Sequence, residues 1–125
     1  VGRVTISGSI TTGAIPFKLI SAATTNGTNV KASLGTIYGV QVINTNAAVR
    51  YLKFYDKATA PSVGSDVPVK VITIPGNTAG AGAVIAFPVG VAFLVGISFA
   101  LTTGAPDSDT GAVAANEIIV NLDYK

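Results

Sequence analysis

Large apolar residues and small or polar ones alternate along much of this chain. Between Val91 and Leu101 the apolar set Val91, Phe93, Val95, Ile97, Phe99 and Leu101 takes every second position. Ala92, Gly96, Ser98 and Ala100 lie between them, with Leu94 the exception. A period of two puts the first set on one face of an extended strand. The same period closes the chain over Glu117–Tyr124, where Ile118, Val120, Leu122 and Tyr124 oppose Ile119, Asn121 and Asp123. Near the start, Val4 and Ile6 alternate with Arg3, Thr5 and Ser7. Further strands are expected over Ile15–Ile20, Asn29–Leu34, Gly35–Asn44, Val49–Tyr55, Pro68–Ile74 and Val84–Phe87. The punctuation between them is turn chemistry: Asn26-Gly27, Asn44-Thr45-Asn46, Pro61 with Gly64, Pro75-Gly76, and Pro88 with Gly90.

No apolar stripe at i, i+3, i+4, i+7 runs to useful length; the Ala-rich part of Thr103–Asn116 offers at most one helical turn. Eight to ten short strands with Gly, Pro and Asn turns predict an all-β, antiparallel β-sandwich, with a jelly roll as the first expectation and an immunoglobulin-like sandwich as the second. At 125 residues the chain is the size of one domain, so 1–125 is read as a single sandwich, with 1–12 an arm or an edge strand. One strand is unusual. In Val49–Tyr55, Tyr51, Lys53 and Tyr55 share a face with Val49, and Leu52 and Phe54 share the other with Arg50. Neither face is purely apolar, which predicts either an outer face that touches something or an edge position.

Composition narrows the function classes. Apolar residues make up 49% and charged residues only 11%, which excludes intrinsic disorder. Cys and His are absent, removing disulfides, thiolate nucleophiles, zinc–thiolate sites and the commonest general base. Ala79–Leu101 is uncharged and long enough to cross a bilayer, but its glycines, Pro88 and period-two half favour strands, so no membrane association is expected. The opening VGRVTISGSI has no apolar core of a signal peptide. Net charge is +2, and the lysines and arginines are dispersed, unlike the dense basic stripe that nucleic acid requires.

Candidate chemistry is sparse. Asp107-Ser108-Asp109 lacks the remaining positions of a calcium loop and reads as a pair of turn-capping carboxylates. Ser nucleophiles lack a His or an S-x-x-K partner, and the Gly-rich loops lack a P-loop signature. Asn26-Gly27-Thr28 fits a glycosylation sequon but reads as a turn. The expectation is therefore a non-enzyme with no catalytic, cofactor-binding or metal-ligating residue.

The low charge points to assembly. Soluble surfaces usually carry about a quarter or more charged residues, whereas interfaces are depleted of charge. The interface candidates are Arg3, Arg50, Tyr51, Lys53 and Tyr55, because arginine and aromatic side chains are enriched at binding hot spots. The same residues are also ordinary strand content, and Leu52 and Phe54 beside them must go inside.

Four long phrases carry a resemblance. AATTNGTNVKAS (Ala22–Ser33), RYLKFYDKATAPSVGSDVPV (Arg50–Val69), IPGNTAGAG (Ile74–Gly82) and ALTTGAPDSDTGAVAANEIIVNLDYK (Ala100–Lys125) resemble small virion proteins of tailed bacteriophages. The first twenty residues match less well. The resemblance implies a structural virion component of the capsid decoration or cement type, with a β-sandwich or jelly-roll fold. It further implies a place on the outer capsid surface, with the major capsid protein and copies of the same chain as partners. A tail or fibre component binding a host-surface glycan or protein through Tyr38, Tyr51 or Tyr55 is the alternative.

Overall fold

The computed structural model describes residues 13–125. Eight strands follow one another: β1 (Ile15–Ile20), β2 (Thr28–Lys31), β3 (Gly35–Asn44), β4 (Arg50–Asp56), β5 (Lys70–Ile74), β6 (Ala81–Phe93), β7 (Ile97–Thr102) and β8 (Ile118–Tyr124). They form two four-stranded antiparallel sheets. Sheet I has the order β1-β8-β3-β6 and sheet II the order β2-β7-β4-β5. The expectation of an all-β, two-sheet antiparallel sandwich holds. The arm expected over residues 1–12, and Arg3 with it, lies outside the described residues.

The core fills the space between the sheets because each strand's alternation points its apolar set inward. Sheet I contributes Ile37, Val40 and Val42 of β3 and Ile118, Val120 and Leu122 of β8. Sheet II answers with Leu52 and Phe54, Ile72 and Ile74, and Ile97, Phe99 and Leu101. Two edge-to-face aromatic pairs span the sheets: Phe17 with Phe99 at 5.9 Å, and Phe54 with Phe93 at 6.1 Å. That geometry sets the positive ring edge against the negative face of its partner.

The long run read as one strand from Val91 to Leu101 is two strands in different sheets. A tight turn at 94–96 separates β6 from β7. Asp56, at the end of β4, holds the turn: its carboxylate accepts the backbone N–H groups of Leu94 (3.1 Å), Val95 (2.8 Å) and Gly96 (3.2 Å). Burial alone would raise the Asp56 pKa, but these three donors outweigh it and hold the carboxyl below its ordinary value. β6 also extends past Pro88, which had been expected to break it. It does so through a bulge: Ala86 lies opposite Gly39 and Val91 opposite Ile37, so residues 87–90 face the single residue Tyr38. Gly90 takes φ +77° within that bulge, a conformation that disfavours side chains. Ala79–Leu101 therefore carries strands, and no helix among the described residues is long and apolar enough to cross a membrane.

β4 lies between β7 and β5, not at an edge. Its outer face is covered by the loops before β5 and before β8, which is the contact that its mixed pattern predicted. Every residue of β7 beside it is buried.

Candidate protein interface

The outer face of sheet II brings Lys53 and Tyr55 together beneath a lid of loops. Both are buried. The Lys53 Nζ donates to the carbonyl oxygen of Pro106 at 2.5 Å. Burial pushes its pKa down, against the pull of Asp109 and Asp107. The Tyr55 hydroxyl is buried without a hydrogen-bond partner among the described residues. Burial raises its pKa, and Asp66 and Asp107 add to the rise. Nearby, Asn29 donates to Ser98 Oγ at 2.9 Å, and the single Ser98 O–H is shared between the carbonyls of Lys57 and Thr59, pinning the loop after β4 onto the sheet.

The interface candidates therefore divide. Lys53 and Tyr55 present no side-chain surface to a partner, because the chain's own loops cover the outer face of β4. Tyr51 is half-buried on the same face. Arg50 is spent within the chain. Its Nε lies 2.8 Å from Glu117 Oε2, and its Nη1 donates to the Val49 carbonyl. Sequence reasoning paired Glu117 with no cation, since the two lie far apart in the chain: Arg50 opens β4 in sheet II, Glu117 directly precedes β8 in sheet I, and only the packing of the two sheets brings them together.

Glu117 is the centre of a knot at one end of the sandwich. Its Oε1 accepts from Asn46 Nδ2 at 2.5 Å and its Oε2 from Arg50 and from the N–H of Ala114. Ser21 Oγ accepts the N–H groups of Glu117 and Ile118 and donates to the Ala114 carbonyl. Burial would raise the Glu117 pKa, yet Arg50, Asn46 and Ala114 together hold it below the usual glutamate range.

The acidic turn reading holds for one carboxylate of the pair. Asp109 Oδ1 accepts from the N–H groups of Gly104 (3.1 Å) and Gly111 (2.9 Å) and so caps a turn, whereas the Asp107 side chain is exposed and accepts no hydrogen bond among the described residues. Among the described residues no group of three or more metal-ligating side chains stands together. Asn26 is buried at φ +53°; its Nδ2 donates to the carbonyls of Ala22 and Thr24, which commits the amide that glycosylation would need.

The open surface lies elsewhere. The register of sheet I lines up its outward residues in rows. One row reads Ile20, Ile119, Ile43 and Gly82, and the next reads Lys18, Asn121, Gln41 and Val84. Ile20 and Ile43 are exposed, and Val84 is 80% exposed. An apolar row thus crosses a solvent-facing sheet, where antiparallel sheets ordinarily turn polar residues outward. At the end opposite Glu117, Leu34 and Leu94 follow directly on the register pair Gly35–Phe93, and both are exposed. Sequence reasoning had the strands of this surface but not their neighbours, which only the pairing order supplies. No family model, curated protein or solved structure matches the chain.

Removing the orphaned hydroxyl is expected to help the fold. Tyr55→Phe keeps the ring and deletes the one buried polar side-chain atom that has no partner among the described residues. Thermal and urea unfolding should show a gain of about 1–2 kcal/mol. An unchanged or lower stability would mean that the hydroxyl is satisfied in solution.

Proposed function

We propose that this chain is a non-enzymatic virion protein of the capsid decoration or cement type, acting by bridging major capsid protein subunits on the outer surface of the particle. The observation that carries this reading is the apolar row Ile20–Ile119–Ile43 on the open face of sheet I. It is a surface suited to burial against other proteins, in a chain with few charges to keep copies apart. The strand pairing supports a jelly roll as the finer fold. β1 pairs with β8, β2 with β7, β3 with β6 and β4 with β5, the nested order produced by rolling up one long hairpin. Jelly rolls recur in viral capsid and lectin domains, so the fold is compatible with the role without establishing it. Repetition on a lattice makes modest contacts sufficient, because each further attachment is intramolecular.

The glycan-binding alternative, through Tyr38, Tyr51 or Tyr55, would be favoured by an exposed cluster of these rings around a groove. Tyr38 belongs to sheet I and the other two to sheet II, with Tyr55 buried, so nothing in this arrangement favours it.

Cryo-electron microscopy of particles carrying the chain tests the proposal. Density over several major capsid subunits is expected. In particles assembled with Ile43→Asp, at an exposed residue of that row, occupancy should fall at least tenfold while the isolated variant melts like the parent. Density confined to the tail or a fibre overturns the proposal.

A further inference from the structure

β6 is the last strand of sheet I, and among the described residues nothing pairs with its outer edge. A free strand edge offers unpaired N–H and C=O groups to any extended chain. Proteins usually guard such edges with charge, proline, a bulge or shortness. β6 is thirteen residues long and carries no charged side chain. Its bulge and Pro88 guard only the later part. Ala81–Ala86 runs in unbroken register with β3, from Asn44 to Gly39, and has no guard at all.

We infer that this edge pairs with the same edge of a second copy, joining two sheets I about a two-fold axis. An isologous strand pair must be complementary to itself. β6 meets that condition with Val84 opposite Val84. Ala83 then faces Ile85, and Gly82 faces Ala86, so each larger residue meets a smaller one. Even spacing keeps inward residues beside inward ones, and the two cores adjoin. Ala83 and Ile85 are only half-buried in the single chain and gain cover on that side. No register brings like charges together, because the strand has none. The edge has no charged residue to select a partner of opposite charge, and the register that matches it best is its own. The turn at Gly80 (φ +99°) and the bulge from residue 87 limit the ladder to a short segment. Such an interface falls below the standard size and is weak in free solution. The pairing does not depend on the virion reading.

Sedimentation equilibrium at about 0.5 mM tests it, a concentration at which a Kd near about 100 µM leaves most chains paired. The parent is expected to be dimeric. Val84→Lys, at a position with ample room in the single chain, should weaken the dimer at least tenfold without lowering the melting temperature. Val89→Lys makes the same change on the bulge, where Val89 is 94% exposed, and should leave the dimer intact. A monomeric parent, a dimer that survives Val84→Lys, or equal loss in both variants overturns the inference. Loss of the dimer on deleting residues 1–12 also overturns it, by giving the edge to that segment. Failure here leaves capsid density unaffected, and absence of capsid density leaves the dimer standing.

Discussion

Glu117→Ala is expected to lower the unfolding free energy by about 3 kcal/mol, read from urea denaturation at neutral pH. The carboxylate is 5% exposed as a side chain, and its Arg50 partner 15%. Deleting it strands the guanidinium in a mostly dry site and leaves the Asn46 amide and the Ala114 N–H without their acceptor. The loss exceeds that of a surface ion pair because the remaining charge has little water to turn to. Acid should reproduce part of it. The folded Glu117 pKa is depressed, so the folded state binds this proton less readily than the unfolded chain. Its stabilisation is complete above the unfolded value of about 4.3 and disappears as pH falls through the lower folded value. The gap between the parent and Glu117→Gln should therefore narrow in that acid window. A gap that is constant with pH would show that the carboxylate contributes shape, not charge.

Gly96→Ala is expected to cost about 3 kcal/mol, at the upper end of overpacking changes. A Cβ at Gly96 would stand 2.5 Å from the Lys57 carbonyl oxygen, 2.7 Å from the Ala58 Cα and 2.8 Å from the Lys31 carbonyl oxygen. All three are backbone atoms, from the segments after β4 and at the end of β2. None can swing aside as a flexible side chain would, so the turn between the sheets must shift as a body and pull on the bonds from Asp56. Gly13→Ala, where a Cβ meets nothing within 4 Å, is the control and should leave the melting temperature unchanged. Equal melting of the two variants would show that the turn is more compliant than its contacts imply.

The same turn explains where sequence reading succeeded and where it misled. Strand identity was legible because burial on one face imposes a period of two, and β3, β4, β5 and β8 lie within a few residues of their expected bounds. The break between β6 and β7 was not legible. Phe93 faces the core from sheet I, and Ile97, Phe99 and Leu101 face the same core from sheet II. The parity runs on through the turn as though no sheet had changed, and only Gly96 and the exposed Leu94 and Val95 mark the crossing. Pro88 misled in the opposite sense, since a proline on an edge strand inside a bulge sacrifices no ladder bond. The mixed faces of β4 correctly signalled a second contact. That this contact is the chain's own loops, which bury Lys53 and Tyr55, depends on long-range placement that no local pattern encodes. The apolar row of sheet I is likewise a product of register among strands distant in sequence.

Nested pairing also dictates a timetable. The β4–β5 pair closes the shortest loop, whereas β1 must wait for β8, a strand near the opposite end of the chain, before it has a neighbour. Each outer pair closes a longer loop at greater entropic cost, which places folding in the millisecond-to-second class, not the microsecond one. On the ribosome, sheet I stays incomplete until β8 has emerged, since β8 joins β1 to β3. The face that carries the apolar row is therefore finished last, and a chain still being synthesised does not yet present the complete row.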